Sequence, residues 1–211
     1  MKKIDAIYCD FDGTITKEDS VNSFFEMYAP NWMESEKLWI EGKISSRENA
    51  IIQVGLLKNV SQKQLDDYIN SIEIDDYFLE FVDYVKSKNI KLTILSDGFD
   101  LFIQKILERY NLDIPYYANK LTYKGGEFSI EFPYYNENCK KRAGMCKCQK
   151  VKENKFCYIG DGTSNLCIAS KADDLFASKR LHQYCKENDI KHSHFTSFRN
   201  IIDVLKEWDY A

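Results

Sequence analysis

The chain has 211 residues, of which 44% are hydrophobic and 29% charged, so it is long enough to bury a sizeable core. Its net charge is −4 and no basic stripe stands out, which argues against nucleic acid as a partner. No apolar run approaches the ~20 residues of a membrane span, and charged residues interrupt the start of the chain, so we expect neither a membrane anchor nor a signal peptide. Seven scattered cysteines favour a reducing compartment, and we predict a cytoplasmic protein.

The first predicted element is a buried strand over residues 4–9, which runs into Asp10-Phe11-Asp12-Gly13-Thr14. From about residue 20 to residue 71, apolar side chains recur at helical spacing without a strand signal. Within this block Ser61 is a suitable N-cap for a helix over residues 62–71. The aromatic-rich block therefore predicts a helical cap inserted after the first strand.

Strands and helices then alternate to the end of the chain. The predicted elements are a helix over 78–85, a strand over 90–95, a helix over 102–110, hairpin strands over 117–123 and 128–132, a strand over 156–159, a helix over 165–171, a strand over 175–177, a helix over 179–188, a strand over 194–195 and a helix over 197–208. The small β-hairpin turns at Lys124-Gly125-Gly126-Glu127. This alternation predicts an α/β fold with a mostly parallel sheet.

Three of the predicted strands end in polar turns, Asp10-Phe11-Asp12, Ser96-Asp97-Gly98 and Gly160-Asp161-Gly162. In a parallel sheet, ligands bind beyond the carboxyl ends of the strands. We therefore expect these turns to converge on one site.

The first turn carries two carboxylates that share one face of an extended chain, because the side-chain period of a strand is two. Burying Asp10 and Asp12 together is costly unless a cation neutralises them, and Mg²⁺ is the oxygen-seeking cation that usually does so. Gly13 and Thr14 supply a tight turn whose backbone can approach a phosphate. Without the other two turns, the same residues would also fit an acidic surface turn.

These motifs, in this order and with a helical block between the first two, resemble the haloacid dehalogenase superfamily. The arrangement is similar to the phosphoserine phosphatase branch and most similar to the methionine-salvage phosphatases that act on 2-hydroxy-3-keto-5-methylthiopentenyl-1-phosphate. The features shared with the latter include Ile15-Thr16, Asp19, Phe99-Asp100, Glu131-Phe132-Pro133 and Cys146-Lys147. The resemblance implies a Rossmann-like core of residues 1–16 and 74–211 and a cap of residues 17–73.

The resemblance also implies a Mg²⁺-dependent phosphatase that acts on a small phosphorylated metabolite through an aspartyl-phosphate. Asp10 would be the nucleophile, and Asp12 would serve as general acid and then general base. Asp10, Asp161 and the main-chain carbonyl of Asp12 would hold Mg²⁺. Phosphoserine and phosphocholine or phosphoethanolamine are alternative substrates. A catalytically weak phosphate-binding protein and a phosphotransferase are alternative functions.

The phosphate would be bound by the Ser96 hydroxyl, the backbone of Asp97 and Gly98, and the ammonium group of Lys147. Lys147 is preferred among the loop lysines because it follows Cys146, as in the methionine-salvage relatives. The other candidates are Lys150, and less favourably Lys140 or Lys141.

Two features depart from simple expectations. Asn165 stands where the family usually has a second acidic residue in its last motif, and we expect it to bind the metal weakly or to orient a metal-bound water. The cysteines of the loop raise a zinc hypothesis, but their irregular spacing argues against it. They are Cys139, Cys146 and Cys148, with Cys157 nearby.

Overall fold

A computed structural model describes residues 4–139 and 142–210. Its strands are β1 (Ala6–Cys9), β2 (Lys91–Phe99), β3 (Tyr116–Lys124), β4 (Glu127–Glu131), β5 (Phe156–Gly160), β6 (Asp174–Ala177) and β7 (Ser193–His194). They form one sheet in the order β4-β3-β2-β1-β5-β6-β7. All neighbours pair in parallel except β3 and β4, which form the predicted antiparallel hairpin. The mostly parallel, Rossmann-like α/β class is therefore confirmed.

The central strand β1 lies between β2 and β5. All four of its residues are buried, as expected for a strand covered on both faces of a parallel sheet. Cys9 is in register with Ile94 on one side and with Ile159 on the other. The ends of β1 and β5 therefore lie side by side, with the middle of β2 next to them.

The segment between β1 and β2 is helical, which confirms the helical insertion after the first strand; four of its five helices precede the return of the chain to the sheet layer at Ile74. These four are α1 (Ser20–Tyr28), α2 (Trp32–Ile40), α3 (Ser46–Leu56) and α4 (Gln62–Ser71). Ser61 caps α4 as predicted, because its hydroxyl accepts from the Gln64 amide while the Gln64 side chain accepts from the Ser61 amide. Ser45 and Glu48 form the same reciprocal cap at α3.

Aromatic packing joins the insertion to the sheet layer. The fully buried Phe24 ring lies 4.9 Å from that of Tyr68, 5.3 Å from that of Phe102 and 5.8 Å from that of Phe128, measured between centroids. These contacts belong to one continuous hydrophobic core. An antiparallel bridge between Thr16 and Ile74 marks the point at which the chain leaves the sheet layer and returns to it.

The remaining helices are α5 (Phe78–Ser87), α6 (Asp100–Arg109), α7 (Leu166–Ala169), α8 (Lys179–Glu187) and α9 (Phe198–Tyr210). Two elements differ from the sequence prediction. Strand β2 continues through its polar turn, because its ladder with β3 shifts register and resumes at Phe99. Helix α7 is a single turn, since residues 163–165 before it form a 3₁₀ turn. Of the helices described, none is long and apolar enough to cross a membrane.

Candidate active site

The three polar turns meet at the carboxyl edge of β2, β1 and β5, as the sheet order requires. Side chains from all three turns line one cleft of about 490 Å³ between this edge and the helical insertion. They are Asp10, Asp12, Ser96, Asp97 and Asp161. The expected convergence is therefore present.

Asp10 is buried and ion-paired. Its Oδ2 lies 2.8 Å from Lys147 Nζ, and its Oδ1 accepts a hydrogen bond of 2.8 Å from the Phe11 amide. Lys147 belongs to a short 3₁₀ helix (Lys147–Gln149) in the loop before β5 and is itself buried. A buried pair of this kind is stable only while both partners are present. The loop therefore holds one ammonium group directly against the Asp10 carboxylate.

Lys150, the first alternative to Lys147 in this loop, contacts two tyrosine rings and not the Asp10 carboxylate. Lys150 Nζ lies 4.0 Å from the centre of the Tyr134 ring and 4.7 Å from that of the Tyr117 ring, an arrangement typical of a cation–π contact. Lys140 and Lys141 lie outside the described residues.

Asp12 is held by two hydroxyl groups. Ser20 donates to its Oδ1, and Ser96 donates to its Oδ2 over 2.9 Å. Burial, followed by the charge of Asp19, raises the pKa of Asp12 to about 7, although both hydroxyl bonds lower it. Gly98 is required beside this carboxyl, because a Cβ at that position would lie 2.2 Å from Asp12 Oδ2. Asp12 can therefore carry a proton at neutral pH.

Asp161 lies next to the turn of the first motif. Thr14 Oγ1 donates to its Oδ1 over 3.1 Å, and Lys179 Nζ lies 3.4 Å from its Oδ2. Burial and then the negative charge of Asp10 raise the pKa of Asp161 to about 6. Gly13 has a φ of +73°, and a Cβ there would lie 2.6 Å from Asp161 Oδ2, so both the turn and the close approach favour glycine.

Asp97 lies in the cleft wall, and its carboxylate accepts hydrogen bonds from three other parts of the protein. It accepts three hydrogen bonds, of 2.6 Å from Ser46 Oγ of α3, 2.8 Å from the Met145 amide and 3.2 Å from Asn119 Nδ2. The carboxylate thus joins the insertion, the loop that carries Lys147 and the hairpin. Gly98, the other predicted backbone donor, directs its amide to Ser96 Oγ over 2.8 Å.

Asn165 is fully buried and faces the lysine. Its Oδ1 accepts a hydrogen bond of 2.5 Å from Lys147 Nζ and one of 2.6 Å from the Tyr158 hydroxyl, while its Nδ2 is buried and has no partner among the described residues. The oxygen on which a role toward the metal would depend is therefore engaged by Lys147 and Tyr158.

Several polar residues at the site were not predicted from the sequence, among them Lys179 and Tyr158. Lys179 Nζ donates to the Gly13 carbonyl over 2.6 Å in addition to its contact with Asp161, and its backbone adopts a φ of +44°. Its position just after β6, at the same edge of the sheet, is the sequence feature that could have identified it as a site residue. Tyr158 gave no signal, because it lies in the middle of an apolar strand.

The zinc hypothesis finds no support. Within residues 4–139 and 142–210, no three His, Cys, Asp or Glu side chains converge to hold a metal ion. Cys148 Sγ instead contacts Cys167 Sγ at 2.9 Å, and Cys157 is buried in β5.

Comparison with known proteins shows the family. A family model for haloacid dehalogenase-like hydrolases matches residues 7–169. A curated relative, the 2-hydroxy-3-keto-5-methylthiopentenyl-1-phosphate phosphatase of Brevibacillus brevis, is 31% identical over 98% of this chain and 97% of its own length. The protein of the same name from Bacillus cereus is 30% identical over 95% of both chains.

Solved structures agree on the fold. A phosphoserine phosphatase carrying an analogue of the phospho-aspartyl intermediate aligns with a TM-score of 0.73 at 23% identity, covering 96% of this chain and 99% of that one. A substrate-bound phosphoserine phosphatase gives a TM-score of 0.72 at 23% identity, covering 97% of this chain and 99% of that one. The chain belongs to the haloacid dehalogenase-like hydrolases.

Proposed function

We propose that the protein is a Mg²⁺-dependent phosphatase that hydrolyses a small-metabolite phosphomonoester through an aspartyl-phosphate on Asp10. The observation that carries the proposal is the buried Asp10–Lys147 pair beside Asp12, a carboxyl group whose pKa is raised to about 7. This arrangement combines a nucleophile, a cation for the transferring phosphoryl group and a proton donor at one edge of the sheet.

In the first step the Asp10 carboxylate attacks phosphorus, and the bond between phosphorus and the ester oxygen breaks. A carboxylate can act as nucleophile without losing a proton at neutral pH. Lys147 binds the phosphoryl oxygens, on which negative charge is spread in the transition state. Asn165 and Tyr158 hold the lysine in place through the Asn165 oxygen.

Asp12 transfers a proton in each of the two steps. It gives its proton to the departing ester oxygen, so the alcohol leaves neutral. The resulting carboxylate then takes a proton from a water molecule that attacks the aspartyl-phosphate, which releases phosphate and restores Asp10 and protonated Asp12. A pKa near the working pH allows Asp12 to donate a proton in the first step and to accept one in the second.

The oxygen donors at the carboxyl edge of the sheet are suitable ligands for Mg²⁺. Asp10, Asp161 and the main-chain carbonyl of Asp12 are hard oxygen donors of the kind that this ion prefers. The raised pKa of Asp161, caused partly by the charge of Asp10, indicates a repulsion that a divalent cation relieves. When bound, Mg²⁺ supplies positive charge that stabilises the transferring phosphoryl group.

We further propose that residues 17–73 act as a cap over the core formed by residues 1–16 and 74–211. The pairing of Thr16 with Ile74, and of the Lys17 amide with the Glu73 carbonyl at 3.0 Å, supports these boundaries. A cap excludes water during phosphoryl transfer.

The first candidate substrate is 2-hydroxy-3-keto-5-methylthiopentenyl-1-phosphate, after the relatives' name. The cap side of the cleft supports it, because Trp32, Met33 and Trp39 offer an apolar, aromatic wall for a methylthioethyl chain. Phosphoserine fits less well, since among the described cap residues that line the cleft there is no Lys or Arg for its carboxylate.

The experiment is phosphate release from a panel of small phosphomonoesters, with Mg²⁺ and with EDTA, by wild type and Asp10→Asn. We expect metal-dependent release by the wild type and none by the variant, because the amide is isosteric but not nucleophilic. Substantial release by Asp10→Asn would contradict the mechanism. Transfer to an added alcohol in place of water would indicate a phosphotransferase.

A further inference from the structure

Two of the cysteines differ from the others in exposure and in their contacts. All seven are free thiols, and five of them are buried: Cys9, Cys139, Cys146, Cys157 and Cys185. The other two, Cys148 and Cys167, are partly exposed. They are 19 positions apart along the chain, yet their Sγ atoms lie 2.9 Å apart. The two thiols that a dissolved oxidant reaches most readily are therefore in contact with each other.

Cys148 and Cys167 lie on two short elements that pack together. Cys148 is in the 3₁₀ helix Lys147–Gln149, and Cys167 is in α7. The sulfur atoms of a disulfide are about 2 Å apart, so these two sulfurs have to approach each other by only about 1 Å. A disulfide bond can therefore form between them without a rearrangement of either element.

The pair lies next to the residues that fix Lys147. Cys148 directly follows Lys147 in the chain, and Cys167 lies two residues after Asn165. The Asn165 Oδ1 accepts a hydrogen bond of 2.5 Å from Lys147 Nζ. Between the two cysteines the chain forms β5 and carries Asp161. A bond between the cysteines would therefore connect the loop of Lys147 to the turn that orients this lysine.

We propose that Cys148 and Cys167 are a modification site, at which a reversible disulfide fixes the loop of Lys147 when the protein meets an oxidising small-molecule disulfide. In a reducing compartment the pair stays as two thiols, because disulfides that form there are usually transient. Since the two sulfurs are already in contact, the bond holds Lys147 and Asn165 where they are. The inference goes beyond the proposed phosphatase activity, because formation of the bond does not depend on the substrate.

The reaction is a thiol–disulfide exchange with a compound such as oxidised glutathione. The Cys167 sulfur attacks the glutathione disulfide, which gives a mixed disulfide, and the Cys167 proton passes to the glutathione that is released. The Cys148 sulfur then attacks the Cys167 sulfur, and the Cys148 proton passes to the second departing glutathione. The two protein thiols lose two electrons in all, and oxidised glutathione is reduced to two thiols.

Cys148 is the second of the two thiols to react. Burial, followed by the hydrogen bond with Cys167, raises the pKa of Cys148 to about 12, although the charge of Lys171 lowers it. Because the thiolate is the form that attacks a disulfide, exchange through Cys148 is slow at neutral pH. The extent of oxidation at equilibrium, and not its rate, is therefore the quantity to measure.

The test incubates the native protein with excess oxidised glutathione until its composition no longer changes. Mass spectrometry of peptides prepared without reductant then locates the disulfides. We expect a cross-link between Cys148 and Cys167 and a rise of about 5 °C or more in Tm, because the bond restricts the unfolded chain. Dithiothreitol reverses both changes. We expect kcat/KM for the best ester of the panel to stay within about twofold, because Lys147 keeps its place.

Cys148→Ser and Cys167→Ser each remove one partner, so neither variant forms the cross-link or gains in Tm. If one of them does not fold, the other decides. Cys139→Ser is the matched control, because Cys139 lies in the same loop and its replacement leaves the pair intact. This control forms the cross-link and gains as much in Tm as the wild type.

The absence of a cross-link between Cys148 and Cys167 in excess oxidised glutathione overturns the proposal, as does a Tm that does not rise when the cross-link forms. A larger loss of kcat/KM that dithiothreitol reverses also overturns it, because the bond would then displace Lys147. If the reduced protein releases phosphate from no ester, the phosphatase proposal is contradicted instead, and the cross-link and Tm still decide the present one.

Discussion

At the scale of single residues, the site depends on how one buried lysine is fixed. Lys147 contacts Asp10, and Asn165 and Tyr158 engage it from the other side. An asparagine at this position accepts a hydrogen bond from the ammonium group without adding a charge. The Asn165 oxygen therefore orients Lys147 while the lysine's charge remains directed at Asp10 and at an incoming phosphoryl group.

We predict that Lys147→Ala lowers kcat/KM by about 100-fold or more, because it removes a charged donor to the phosphoryl oxygens. It also lowers the free energy of unfolding by about 3 kcal/mol, since Asp10 is left buried without its partner. Lys150→Ala is the matched control, because Lys150 stacks on tyrosine rings in the same loop. Steady-state kinetics and denaturant unfolding measure both effects. A larger kinetic loss in Lys150→Ala would assign the phosphate contact to Lys150 instead.

The protonation of Asp12 predicts a pH dependence. Its pKa is raised to about 7 by burial and by Asp19, and only the protonated form can give a proton to the leaving oxygen. As the pH rises above this pKa the protonated fraction falls, so kcat/KM for an alkyl phosphate falls about tenfold for each further pH unit.

A pH profile with an alkyl phosphate and with p-nitrophenyl phosphate tests this prediction. The nitrophenolate leaves without protonation, so kcat/KM for p-nitrophenyl phosphate should fall less steeply at alkaline pH than kcat/KM for the alkyl phosphate. Identical profiles for the two esters would argue against Asp12 as the acid.

At the scale of elements, α3 is tied to the sheet edge by the hydrogen bond from Ser46 to Asp97. Because Asp97 also accepts from the Met145 amide, this bond connects the insertion to the loop that carries Lys147. The backbone of Asp97 is a predicted phosphate ligand, because the sequence places this residue at the end of a strand. The sequence could not show that donors from three elements occupy its carboxylate.

We predict that Ser46→Ala raises KM and lowers the free energy of unfolding by about 1–3 kcal/mol, because a buried carboxylate oxygen loses a donor. Ser61→Ala provides the control: it removes the cap of α4, outside the cleft lining, and should lower the free energy of unfolding by about 1 kcal/mol with KM unchanged. Equal KM values in the two variants would show that the Ser46–Asp97 bond has no part in substrate binding.

The elements at the sheet edge were predictable, whereas the cap wall was not. The turns at Asp10, Ser96 and Asp161 follow apolar strands, and parallel pairing brings such ends together whatever the connections between them. Lys179 follows β6 at the same edge of the sheet, but Glu36, which also lines the cleft, lies within a helix and had no such signal. The placement of the two side chains depends on how α8 packs against β6 and how α2 packs against α3, and helical periodicity does not specify that packing.

At the scale of the whole molecule, the insertion and the sheet share one hydrophobic core, although the chain between Thr16 and Ile74 forms a separate set of helices. The succession of strands and helices along the chain, the hairpin and the inserted helices could all be predicted, because each has its own periodicity and turn residues. The lengths of β2 and α7 could not, since β2 is extended by pairing with β3 and α7 is shortened by the turn that buries Asn165.

The central claim is that Asp10 carries the phosphoryl group during turnover. The most direct measurement is a rapid acid quench of wild type with Mg²⁺ and the best ester of the panel, followed by peptide mass spectrometry. We predict a phosphorylated peptide whose modified residue is Asp10, and no such species in Asp10→Asn. Turnover with no phosphorylated protein, or with the phosphoryl group on another residue, would contradict the account.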